Sequence, residues 1–120
     1  MKIPKTIKIG CHRVDIKYPY VFTERYDRYA QFDSAQMHIM LGAVNNSGEK
    51  RPKESILVTL IHELMHAIEH ISGHNVFKNM GDNEEAAIDG FANVIAQILI
   101  DNNFIEWLES DFIEDEQEEF

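Results

Sequence analysis

The chain of 120 residues predicts an α+β fold, a small and mostly antiparallel sheet packed on two long helices. Two rhythms carry that expectation. Up to residue 41, apolar and polar residues alternate in short bursts, the period of strands; beyond Lys53 apolar residues recur every three or four positions, the period of helices. Strands first and long helices later, in a chain able to bury one modest core, are the α+β pattern.

Residues 6–18 set Ile7 and Ile9, then Val14, Ile16 and Tyr18, among polar neighbours, with Gly10 between the two bursts. This reads as a hairpin or one bent strand, ended by Pro19. Residues 21–29 space Val21, Phe22, Tyr26 and Tyr29 irregularly and predict a short helix. Residues 36–41 alternate again, with Met37, Ile39 and Leu41 on one face and His38 and Met40 on the other. The stretch 42–52, with Asn45-Asn46-Ser47-Gly48, is a polar loop. From Lys53, the residues Ile56, Leu57, Leu60, Ile61, Leu64, Met65, Ile68 and Ile71 follow helical spacing. Pro52 suits a first turn and Gly73 a stop. Residues 79–82 read as a loop. A second helix is expected over about 83–102, with Ala87, Ile88, Phe91, Val94, Ile95, Ile98 and Leu99 as its buried stripe.

Charge is divided unevenly along the chain. Lys and Arg number 11 against 21 Asp and Glu, a net of −10, and residues 101–120 hold nine of those acids and no base. Residues 1–103 are therefore read as the domain and residues 104–120 as an acidic C-terminal tail. Phe104, Ile105, Trp107, Leu108, Phe112 and Ile113 make that tail too apolar for a purely solvated segment, so it is expected to dock in part. It could also fold back over the cleft and hold the protein inactive.

The acidic balance argues against a nucleic-acid partner, which calls for a basic face. No apolar run approaches the ~18–20 residues of a membrane span. The first residues interleave Lys2, Lys5 and Lys8 with isoleucines, unlike a signal peptide. The single cysteine, Cys11, cannot pair internally and has no base near it in sequence, so a cytoplasmic location is expected and no nucleophilic role.

Six histidines are many for this length. His62 and His66 lie one turn apart on the same face of the first long helix, so both imidazoles can reach one metal ion. Glu63, turned ~100° from His62, can take a proton from a metal-activated water without being a ligand. This is the H-E-x-x-H arrangement of zinc hydrolases. The segment around it, Thr59-Leu60-Ile61 and Ala67-Ile68, is uncharged. Incidental histidines in such a helix would leave two imidazoles and a carboxylate desolvated without a partner.

A catalytic zinc takes a third protein ligand. Glu85 follows His66 after 18 intervening residues, enough for a loop and an antiparallel return, and Glu84 is the fallback. Asp89, one turn past Glu85, could hold a ligating imidazole from behind. His70 drifts off the metal-facing direction and reads as a helix-end histidine. His74 lies in a loop that could line the cleft; His12 and His38 read as strand surface residues.

His62, Glu63, His66, Glu85 and the Glu85-x-x-x-Asp89 spacing resemble the gluzincin metallopeptidases, in particular their minimal forms, the minigluzincins and phage-like metallopeptidases. The match covers about residues 56–92. The resemblance implies a minimal zincin-like domain, Zn2+ held by His62, His66 and Glu85, Glu63 as general base and Asp89 supporting a ligand. Residues 36–41 look like the family's edge strand, which places a peptide or protein substrate near Gln36, His38 and Met40. The expected activity is endopeptidase cleavage. The alternatives are a mobile-element regulator of the ImmA/IrrE type, which cleaves or binds a repressor, and a non-catalytic zinc-stabilised domain. The resemblance assigns no particular residue to the Tyr or His that usually helps stabilise the oxyanion.

Overall fold

Pro52 and Gly73 bound the longest element, as their chemistry dictates. The computed structural model describes residues 3–22, 29–45 and 47–104. In it helix α1 runs Lys53–Ser72 behind Pro52 and ends at Gly73, whose φ of 77° is the left-handed stop that glycine adopts without strain. Strands β1 (Thr6–Ile9) and β2 (His12–Lys17) form an antiparallel hairpin around Gly10, the first of the two readings open for this stretch. Strands β3 (Ala30–Asp33) and β4 (His38–Leu41) complete a four-stranded sheet of order β1-β2-β4-β3. β4 runs parallel to β2 and antiparallel to β3. A short 3-10 helix, Lys78–Asn83, leads into helix α2, Glu84–Asp101. The architecture is α+β. Among the described residues no helix is long and apolar enough to cross a membrane.

α1 lies between two apolar surfaces. Ile56 and Leu60 meet Val14, Ile16, Ala30, Ile39 and Leu41 of the sheet. Leu57 and Ile61 meet Ala92 and Ala96 of α2. Each fully buried branched side chain contributes roughly 1.5–3 kcal/mol of transfer free energy, so this double contact fixes α1. Arg51 closes the near end. Its buried guanidinium donates to the carbonyl of Gly42 at 2.8 Å and to the Thr59 hydroxyl, and stacks 4.6 Å from the Tyr29 ring centroid. Burial lowers its pKa.

Four expectations need correction. Residues 36–41 are neither wholly a strand nor at an edge: Gln36 and Met37 form the β3–β4 turn, with Met37 at φ 55°. β4 itself bonds to β2 on one side and β3 on the other, so the edge beside α1 belongs to β3. On α2 the buried positions are Ile88, Ala92 and Ala96, while Phe91, Val94 and Ile98 are exposed. Alanines let the helix approach α1 closely, and the larger side chains are turned outward. Ile68 of α1 is exposed as well. Residues 79–82 belong to the 3-10 helix. The short helix expected over 21–29 falls mostly on residues outside the described ones. So does the docking of the tail beyond Phe104.

Candidate metal centre

Helical spacing places the His62 and His66 rings 5.1 Å apart, centroid to centroid, on the open side of α1. Both are largely shielded: 13% of the His62 side chain and 23% of the His66 side chain is exposed. α2 returns antiparallel and brings Glu85 to both. Its Oε2 lies 2.6 Å from His62 Nε2 and its Oε1 lies 3.3 Å from His66 Nε2. One nitrogen from each histidine and one Glu85 oxygen all fall within 4.8 Å of one another.

The donor set suits zinc. Ligand bonds of ~2.0–2.2 Å in a tetrahedron separate neighbouring donors by about 3.3–3.6 Å. The separation of His66 Nε2 from Glu85 Oε1 already matches; the 2.6 Å contact of His62 Nε2 with the other oxygen, Oε2, has hydrogen-bond length and would open by less than about 1 Å to admit an ion.

Each imidazole also has a carboxylate at its far nitrogen. Asp89 Oδ1 lies 2.6 Å from His62 Nδ1; a proton held there would leave the Nε2 lone pair free for an ion placed between His62 and Glu85. Glu84 Oε2 stands 3.8 Å from His66 Nδ1, too far for a hydrogen bond. The geometry thus gathers His62, His66 and Glu85 around one point and leaves Glu84 to the side. A second group, His66, Glu69 and Glu84, also lies within 4.8 Å. There the buried Glu69 carboxylate already accepts the N–H of Phe77 at 2.7 Å and that of Lys78 at 3.3 Å.

Glu63 faces the sheet edge. Its Oε1 accepts the N–H of Phe32 in β3 at 2.8 Å. Burial raises its pKa, opposed by the nearby His62 and His66 and by the Phe32 hydrogen bond. The Tyr29 carbonyl accepts from Gly42, on the β4 side of the strand. By strand alternation the outward groups of β3 are therefore those of Ala30 and Phe32. They border a cleft of about 760 Å³, lined by β3, by α1 from Val58 to His70 and by the start of α2.

Gln36, His38 and Met40 do not border this cleft. His38 instead lies 3.8 Å from Asp15 on the neighbouring strand. His74 is outside the cleft, whereas His70 borders it, its ring 5.9 Å from that of Phe32, and is not among the grouped metal donors. His12 and Cys11 are exposed at the hairpin. Sequence reasoning passed over Glu69 and the β3 edge. Glu69 carried a signal: it and Glu63 are the only charges between Glu54 and Ser72 other than the histidines.

Comparison with known proteins gives no match to a family model, a curated protein or a solved structure.

Proposed function

We propose that the chain is a small zinc-dependent metallopeptidase, with His62, His66 and Glu85 as metal ligands and Glu63 as general base. One observation carries the reading: the Nε2 atoms of two histidines one turn apart face the two oxygens of a single carboxylate from another helix. The H-E-x-x-H and E-x-x-x-D spacings, with their likeness to gluzincins, support it. When bound, zinc supplies Lewis acidity, lowering the pKa of water to about 7 and polarising a carbonyl.

The protein's own groups do the rest. Asp89 orients His62. The Phe32 N–H holds the Glu63 carboxylate at the cleft wall, and burial raises its proton affinity. A base so tuned takes a proton from the attacking water and returns it to the departing amine. An extended peptide would add along β3, pairing with the outward N–H of Ala30 and the outward carbonyls of Ala30 and Phe32, while the Phe32 N–H stays with Glu63.

The test is Glu63→Gln, assayed for zinc content and for cleavage of unstructured peptides. Zinc binding should persist while cleavage falls by roughly 10²–10⁴-fold. Undiminished cleavage by that variant would remove Glu63 from the mechanism.

A further inference from the structure

The connection between α1 and α2 must deliver Glu85 to the histidines, yet it has little core of its own. Residues 73–83 include no buried side chain, and the 3-10 helix contains a non-helical residue, Gly81, at φ 61° and ψ −124°. Two contacts tie its beginning down. Phe77 packs edge-on against Phe91 of α2, with centroids 5.4 Å apart. Glu69 of α1 is only 9% exposed, and its Oε2 accepts the backbone N–H groups of both Phe77 and Lys78.

Placing a carboxylate there is costly unless its oxygens are bonded, and the two N–H donors are otherwise at the open start of the 3-10 helix. Glu69 lies three residues past His66, less than one helical turn along α1. The start of the connection is therefore registered directly to the histidine-bearing helix. Six residues after Lys78 the chain reaches Glu84.

We infer that Glu69 is a positioning residue for the metal centre, fixing the first turn of the connection so that Glu85 arrives over His62 and His66. This role rests on the zinc reading above. It separates Glu69 from the ligands: its Oε2 is committed to two backbone donors, and its loss acts on Glu85 through the connecting chain.

The experiment measures zinc affinity by competition with a chromophoric chelator, and the visible absorption of the cobalt-substituted protein, in wild type, Glu69→Ala, Glu69→Gln and Glu85→Ala. Glu69→Ala should weaken zinc binding by about 10–100-fold and shift the cobalt spectrum toward that of Glu85→Ala. Glu69→Gln keeps an accepting oxygen and should restore most of both. If circular dichroism shows Glu69→Ala to be unfolded, Lys78→Pro deletes one donor without touching α1 and should weaken binding in the same direction. Wild-type affinity and spectrum in a folded Glu69→Ala or Lys78→Pro protein would overturn this role alone. A wild-type chain that takes up no zinc would overturn the metal reading and this role with it.

Discussion

The two helices that build the cleft are held in different ways. α1 is packed on two sides, through Ile56 and Leu60 against the sheet and through Leu57 and Ile61 against α2. α2 buries one narrow face, Ile88, Ala92 and Ala96, and leaves Phe91, Val94 and Ile98 exposed. The site shows the same asymmetry. The imidazoles on α1 are mostly shielded, while the side chains of Glu85 and Asp89 on α2 are 65% and 62% exposed. Rigid packing thus places the histidines, and specific polar contacts place the carboxylates.

The largest expected effect breaks the better-anchored side. Leu60→Ala removes a side chain that is 2% exposed at the sheet–helix boundary and should cost about 2–5 kcal/mol in urea unfolding. A loss below about 1 kcal/mol would mean that α1 is not anchored as described. A second experiment addresses the polar side. Asp89→Asn should weaken zinc affinity by about 10–100-fold and leave the metal-free fold nearly unchanged, since the Asp89 side chain is largely exposed. Unchanged affinity would end the contribution of α2 at Glu85.

The smallest effect is a pH dependence in chelator. Burial raises the Glu63 pKa above its ordinary 4.5, so between the ordinary and raised values the folded chain binds more protons than the unfolded one. Its contribution to stability is fully present below 4.5 and is lost as pH rises through the raised value. Metal-free Glu63→Gln should lack that decline relative to wild type. Parallel stability profiles for the two proteins would show that Glu63 is not desolvated.

Much of this arrangement is visible in the amino-acid order. Pro52, Gly73 and an unbroken 3.6-residue rhythm mark α1, and the His62–His66 spacing within it marks the side that faces Glu85. The first hairpin follows from alternation around Gly10. β3 escaped because Ala30-Gln31-Phe32-Asp33 is too short to display a period, and its pairing with β4 is a tertiary choice. The buried face of α2 is hidden for a related reason. Phe91, Val94 and Ile98 make as regular a stripe as Ile88, Ala92 and Ala96, and hydrophobicity favours the larger side chains. Close helix approach favours the alanines, and only the packed structure decides between them. Glu69 was legible as an isolated acid in an apolar helix, but its partners are backbone N–H groups, which no residue pattern announces.

The central claim is that His62, His66 and Glu85 form one zinc site. Its most direct test is elemental analysis after chelator treatment and reconstitution, on wild type and on His62→Ala. Wild type should retain about one equivalent of zinc per chain and His62→Ala well under that. No zinc in wild type, or undiminished zinc in folded His62→Ala, would contradict the account.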